Sequence, residues 1–318
     1  MASTTSAIPN ASHAAESLQI SGKEYVRLID WARANDCEVR WIKRDETLQI
    51  NNHSSKLQFG IDSREAQING VQVWLLFPLA VRNGAVYVSQ LDVRTTLQPL
   101  LFPPKNRPGL SIRSICLDPG HGGKDPGYCV GAKQEKKFNL SLAQEVSNQL
   151  SRAGFKVTLT RTTDKFIELP TRPELAKRRN SDLFVSLHFN AAENSRSHVR
   201  GAQVFCLTPA GASSTNAGGE GSGAGSFAGN QYNEKNMLLA YQVQKSLTGN
   251  LAVEDRGVRR ARYAVLRDAS MPAVLIESGF MSHPEEGKKI FDAGYRRKLA
   301  QAIAEGLLSY KRLVERAG

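Results

Sequence analysis

The chain has 318 residues, of which 41% are hydrophobic, 23% charged and 7% aromatic, enough apolar content for a sizeable core; its length predicts two domains, each with its own core. No run of about 18 apolar residues occurs, which excludes a membrane-spanning helix, and four scattered cysteines with no CxxC pair exclude a disulfide scaffold and a thiolate zinc knuckle. Lys and Arg number 42 against 30 Asp and Glu, a net +12, and residues 1–105 hold 11 basic and 10 acidic side chains, so +11 falls on residues 106–318. Such a field concentrates any anionic polymer and also serves plain solubility, so charge alone names no partner.

Residues 1–22 are rich in Ala, Ser and Thr. They lack the basic and apolar regions of a signal peptide and are expected to form a disordered leader. A short helix is expected over Glu24–Ala34, followed by strands at Glu38–Ile42, Leu48–Ile50, Leu57–Ile61 and Val71–Phe77. Asn83-Gly84 between the alternating residues of Val81–Val88 predicts a two-residue hairpin, and Asn69-Gly70 is a second turn signal. Residues 23–100 therefore read as a small β-rich (α+β) module without a cluster of chemically active side chains. The proline-rich stretch 101–110 reads as a linker, since three prolines and a glycine neither pair nor coil.

From residue 111 to 318, strands alternate with helices, the pattern of an α/β domain on a parallel or mixed sheet. Strands are expected at Ile112–Leu117, Phe155–Thr160, Leu183–Leu187, Gly201–Leu207, Tyr263–Leu266 and Ala273–Ile276. Helices are expected at Lys137–Ala153, Thr171–Arg179, Asn233–Leu251 and Tyr295–Leu313, where apolar residues recur every three to four positions. The Gly/Ser/Ala-rich stretch 208–231 reads as a flexible insertion.

In open α/β sheets chemistry gathers beyond the carboxyl ends of strands. Asp118-Pro-Gly-His-Gly-Gly123 follows the first strand, His188 and Asn190 follow the third, and Glu277 follows the last. A lone strand-end histidine is more often structural, but three converging ends make coincidence far less credible. The glycine-rich loop lacks GK[ST] and does not open a helix, so a phosphate cradle is disfavoured. A catalytic zinc takes three ligands from His, Asp and Glu. His121 and His188 supply two; Glu135, at the start of a helix, is placed to be the third, with Glu145 a weaker competitor. At a helix start Glu135 would also be favoured by the helix dipole alone. Cys116 and Cys129, either side of His121, read as buried inert thiols; His13, His53, His198 and His283 read as surface or loop residues.

Leu117-Asp-Pro-Gly-His-Gly-Gly123, Gln134-Glu135, Ser186-Leu-His-Phe-Asn-Ala191, Asp255-Arg-Gly-Val-Arg259 and Val274-Leu-Ile-Glu-Ser-Gly-Phe280 resemble, in order, the motifs of the zinc-dependent N-acetylmuramoyl-L-alanine amidases. The resemblance covers roughly Ile112–Tyr310. It implies a mixed-sheet hydrolase with helices on both faces and one zinc ion held by His121, Glu135 and His188, with Glu277 the catalytic carboxylate. Asn190, Arg259 and Arg260 are candidates for contacting substrate. Peptidoglycan is the implied partner, in the periplasm or outside the cell, with no nucleic acid, no membrane span and a monomeric chain; a protein activator is left open. Soluble muropeptides in the cytoplasm are the alternative substrate. A helix that plugs the site in division amidases has no counterpart in the Gly/Ser-rich stretch, and Phe189 replaces a usually smaller residue, which is expected to alter the pocket rim.

Overall fold

The computed structural model describes residues 17–192, 198–216 and 225–315. Strands β1 (Ser17–Ile20), β2 (Lys23–Arg27), β8 (Ala80–Arg82) and β9 (Ala85–Ser89) form a four-stranded antiparallel sheet in the order β1-β2-β9-β8. The second turn signal and the hairpin both hold: Asn69, Gly70, Asn83 and Gly84 all take positive φ, the left-handed conformation that two-residue hairpins require.

The module's other strands are β3 (Glu38–Lys43), β4 (Thr47–Asn51), β5 (Lys56–Gly60), β6 (Glu65–Ile68) and β7 (Val71–Trp74), joined as an antiparallel meander. The amidase-like region contributes β10 (Ser114–Pro119), β13 (Lys156–Leu159), β14 (Leu183–Asn190), β15 (Ala202–Leu207), β16 (Asp255–Ala261) and β17 (Ala273–Phe280), with a small hairpin β11 (Cys129–Val130) and β12 (Lys133–Gln134) apart from them. One eleven-stranded mixed sheet runs through both regions in the order β13-β10-β14-β17-β15-β16-β7-β6-β5-β4-β3. Strands β13, β10, β14 and β17 are parallel, and β15 turns antiparallel to β17. The central strands are buried along nearly their whole length, as expected when helices cover both faces.

The helices are α1 (Leu28–Ala34), α2 (Gln90–Asp92), α3 (Gln98–Leu101), α4 (Glu135–Arg152), α5 (Thr171–Arg178), α6 (Asn233–Asn250), α7 (Ala264–Arg267), α8 (Pro284–Phe291) and α9 (Ala293–Glu315). On one side α4, α6 and α9 pack together on the sheet, and α5 and α7 lie on the other. The main core runs without a break from Val26 through Val73 and Val258 to Val314, so the expected pair of separate cores is replaced by one shared core and a smaller cluster around Phe184, Phe205 and Leu275.

The seam is specific. β7 pairs in parallel with β16 at Val73 and Val258, Gln72 N donates to Asp255 Oδ2 (2.8 Å) and Trp74 Nε1 to Arg256 O (3.2 Å). Gly257 has φ +85°, and a Cβ there would sit 2.9 Å from Gln72 O, so only glycine lets the strands meet. A π-helical segment, Val93–Leu97, links α2 to α3. Pro99 has no N–H for the carbonyl of Thr95 four residues back, and Arg260, fully buried, donates Nη2 to that carbonyl (2.7 Å) and to Thr96 Oγ1 (2.9 Å). Buried Asp92 accepts from Leu76 N, Phe77 N, Ser89 Oγ and Thr96 Oγ1.

Several expectations change. Ser17–Ile20, placed in the leader, is strand β1, since it alternates exposure and pairs with β2; residues 1–16 lie outside the described residues. The helix expected from Glu24 begins at Leu28, because Tyr25–Arg27 pair with β9. Tyr263–Leu266, expected as a strand, turns into α7, and the strand is instead Asp255–Ala261, whose four charged residues hid it. Of the stretch 208–231, where a flexible insertion is expected, residues 217–224 lie outside the described residues; before them Thr208, Ala212, Ser214 and Thr215 are buried, with Thr208 Oγ1 and Ser214 Oγ 2.9 Å apart, and after them Gly225, Ser226 and Ala228 are exposed. No α-helix occurs among its described residues.

Asp92→Ala leaves two buried backbone N–H groups without acceptors, and the expected loss is about 3 kcal/mol of unfolding free energy. Urea unfolding followed by fluorescence and circular dichroism should show that loss in a single coincident transition, because the two regions share one core.

Candidate active site

The site begins with the irregular turn leaving β10. Asp118 is buried at the strand end and accepts from Thr160 Oγ1 (2.6 Å), Ser186 Oγ (2.8 Å) and Arg172 Nη1 (2.9 Å). The carbonyls that follow point inward, where two buried arginines meet them. Arg161 donates to Pro119 O and Gly120 O, and Arg172 to Pro119 O and His121 O. With its carbonyls held this way, the chain passes through His121 at φ +60°, a conformation a non-glycine residue rarely takes. Gly120 and Gly127 are required by the same crowding. A Cβ on Gly120 would lie 2.1 Å from the His188 ring, and one on Gly127 would lie 2.6 Å from Glu135 Oε2.

Glu135 opens α4 and is 4% exposed. Its Oε2 lies 3.1 Å from His121 Nε2 and its Oε1 lies 3.1 Å from His188 Nδ1. Asn139 Nδ2, one helical turn on, donates to Oε1 (3.0 Å), and Tyr128 N donates to Oε2 (3.0 Å). The other ring nitrogen of His121, Nδ1, is 2.7 Å from Asp125 Oδ2, which fixes the ring and leaves Nε2 for a ligand. One ligand atom from each of His121, Glu135 and His188 lies within 4.8 Å of the others. Two imidazoles and a carboxylate at this separation fit a divalent metal with a coordination position to spare. Among the described residues no other His, Cys, Asp and Glu cluster of this kind occurs.

Glu277 sits on β17 in direct register with His188 on β14. It lines, with His121, His188, Asp125, Tyr263 and Leu169, a cavity of about 370 Å³. Its Oε2 is buried and makes no hydrogen bond. The two carboxylates are driven in opposite directions. Burial opposes the charge on Glu135, but hydrogen bonds and charge from His121 and His188 outweigh it and hold the group well below the usual carboxylate range. Burial, reinforced by the charge of Glu135, pushes Glu277 well above it. Burial would lower His121, yet Glu135 and Asp125 together raise it.

His121, Glu135, His188 and Glu277 are thus brought together, and Glu145 is not among them. Asn190 turns back to accept from Ala191 N and does not line the cavity. Arg259 and Arg260 do not line it either. Arg259 lies over the Trp74 ring (4.1 Å) and donates to Thr215 O, while Arg260 is buried at the seam. A role for Arg260 in meeting substrate is therefore corrected: the side chain is fully buried inside the fold. Phe189 is buried on the opposite face of β14 from His188, away from the rim. Cys116 is buried but Cys129 is exposed, and both are free. His283 is no surface residue; it is buried and caps α8, its Nδ1 accepting from Glu286 N. Sequence reasoning missed Asp125, Asn139, Arg161 and Arg172. Arg161 was within reach, since it follows the end of β13 just as His121 follows β10.

Asp125→Ala removes the group that orients His121, and metal affinity is expected to fall about 10- to 100-fold. Gly120→Ala should cost more, since it displaces the His188 ring itself. Competition titration against a chromogenic chelator, with circular dichroism to establish the fold, measures both.

Residues 115–309 match the family model described as N-acetylmuramoyl-L-alanine amidase, and residues 10–98 match one described as copper amine oxidase N-terminal domain. The amidase AmiC of Neisseria meningitidis serogroup B is 36% identical over 218 residues, covering 62% of this chain and 52% of that protein. AmiA of Escherichia coli is 34% identical over 231 residues, covering 65% of this chain and 79% of that protein. The chain therefore spans about half the length of the first relative and about four-fifths of the second. Among solved structures, the amidase AmiC2 of Nostoc punctiforme superposes with a TM-score of 0.53 at 32% identity, over 64% of this chain and 98% of that one.

Proposed function

Since the chain belongs to the N-acetylmuramoyl-L-alanine amidase family, we propose that it hydrolyses the amide bond between the lactyl group of N-acetylmuramic acid and L-alanine in peptidoglycan. The observation that carries this reading is the placement of Glu277, with an unpartnered Oε2, in one cavity with His121 and His188, which with Glu135 form the only such ligand cluster among the described residues. The donor set of two imidazoles and one carboxylate suits zinc. A zinc ion held there supplies Lewis acidity towards water and towards the amide carbonyl.

The chain's own residues do the rest. Glu135 stays ionised between two imidazoles and offers a firm anionic ligand. Asp125 fixes the His121 ring, and Arg161 and Arg172 hold the backbone that carries it. Glu277 accepts the proton of the attacking water at its free Oε2 and passes it to the departing α-amine of L-alanine. Its raised proton affinity suits the second transfer, because a more basic carboxylate retains the proton until the amine leaves. The net +11 of residues 106–318 complements an anionic wall polymer. A wall substrate places the protein in the periplasm or outside the cell; no helix among the described residues is long and apolar enough to cross a membrane.

Digestion of purified sacculi, with products identified by mass spectrometry, tests the reading. Stem peptides beginning with L-alanine are expected, and both chelation and Glu277→Ala should abolish them, the variant losing a factor of about 100 to 10,000. Cleavage of soluble muropeptides with sacculi left intact would move the substrate to free fragments. Full activity in Glu277→Ala would sink the assignment of the carboxylate.

A further inference from the structure

A row of side chains crosses the eleven-stranded sheet on the face that carries the active site. In register, His188 pairs with Glu277 and Glu277 with Gln203. Past the irregular pairing of β15 with β16, Gly257 lies against Gln72. From there Gln72 pairs with Gln67, Gln67 with Gln58, Gln58 with Gln49 and Gln49 with Arg40. Four adjacent strands of the module thus carry four glutamines side by side, of which Gln49 is buried and Gln58, Gln67 and Gln72 line the surface. Their strand neighbours Leu48, Ile50, Leu57, Phe59, Ile68 and Val73 are all buried on the opposite face, so the alternation fixes which face the glutamines occupy.

Such a row is costly to explain as packing. Among the four, only the Gln49 and Gln58 amides are in mutual contact, at 3.2 Å, and the buried Gln49 amide also lies 2.9 Å from Asn51 Oδ1. Gln67 is exposed and Gln58 and Gln72 are half-buried. Beside the row, Gly60 carries no side chain between Thr47 and Glu65, which opens a groove of about 390 Å³ lined by Thr47, Gln58, Gly60, Glu65, Gln67 and Gln72. That volume is in the range of small-ligand sites.

We propose that this groove binds the glycan backbone of the polymer whose amide is cut at Glu277, as a neutral chain of N-acetylated amino sugars. The inference rests on the amidase reading above. A primary carboxamide donates and accepts at once, which matches both a sugar hydroxyl and an N-acetyl group. A nucleic acid would need a cationic face, whereas here Glu65 stands in the groove. A protein partner would need an apolar centre, and the groove's lining is polar apart from the edges of Phe59 and Ala66. From Glu277 to Gln58 is five strand spacings, about 24 Å along the sheet, so one polymer of several sugar units spans both places. The module then lengthens the substrate site rather than tethering the enzyme from afar.

The test uses the full chain carrying Glu277→Ala and glycan strands stripped of stem peptides, with the freed lactyl carboxylates converted to methylamides so that the strands are neutral. Retention on these strands is expected, with affinity weakened about 10- to 30-fold by the double change Gln58→Ala and Gln67→Ala, the loss of two net hydrogen bonds. Thr47→Phe, which fills the groove and leaves the glutamines, should weaken it comparably. In the active chain, turnover of a small soluble muramoyl-peptide should be the same with and without the glutamine changes, and circular dichroism should show the fold kept. No retention of the parent, or equal retention of both variants, overturns the proposal while leaving the amidase reading intact. Retention that depends on the glutamines, in a chain that cuts no amide, would reverse that outcome.

Discussion

The site depends on one buried carboxylate that stays ionised. Glu135 is almost fully enclosed at the start of α4, where burial alone would neutralise it. Two imidazoles, an amide from Asn139 and the N–H of Tyr128 face its two oxygens. The charge in turn sets its neighbours. Against the effect of burial it raises His121 together with Asp125, and it adds to the burial that raises Glu277. Two chemically equal carboxylates are thereby driven apart by their surroundings, one towards the anion and the other towards the protonated acid.

Holding that arrangement costs the backbone strain at His121, and the strain is sustained from below. Arg161 and Arg172 are buried cations whose guanidinium forks suit several oxygens at once. Asp118 takes one nitrogen of Arg172, and the rest go to carbonyls of the Pro119–His121 turn and of nearby loops. A lysine could not span these acceptors. The same crowding explains why Gly120 and Gly127 carry no side chain, since His188 and Glu135 occupy the space where a Cβ would go.

Much of this was legible in the sequence because strand ends are legible. Apolar runs such as Leu183–Leu187 end abruptly in residues that do chemistry, and the rule that function collects there found His121, His188 and Glu277 together. Glu135 followed from its place at a helix start. Of the substrate candidates, Arg260 failed for a physical reason. Arg259 and Arg260 lie in a strand whose charged residues look exposed, yet β16 is covered by β7 on one edge and by buried Thr215 above. A charge buried by a partner far away in sequence carries no local mark. Neither does a shared core: the prolines of 101–110 punctuate the chain truthfully, but a break in the chain is not a break in the sheet.

That continuity changes what the module is. Had it hung from a linker, its orientation towards the catalytic cavity would be set by linker length and thermal motion. Instead β7 is hydrogen-bonded to β16, Tyr241 of α6 donates to Ile68 O (2.9 Å), and Arg260 reaches across to Thr95. Pleating then relates distant residues with the regularity of a lattice. Side chains on one face of one sheet keep fixed spacing and direction, subject only to twist. A glutamine in the module is therefore positioned relative to Glu277 by the same hydrogen-bonded register that positions His188, and a polymer lying on that face would meet both as parts of a single surface.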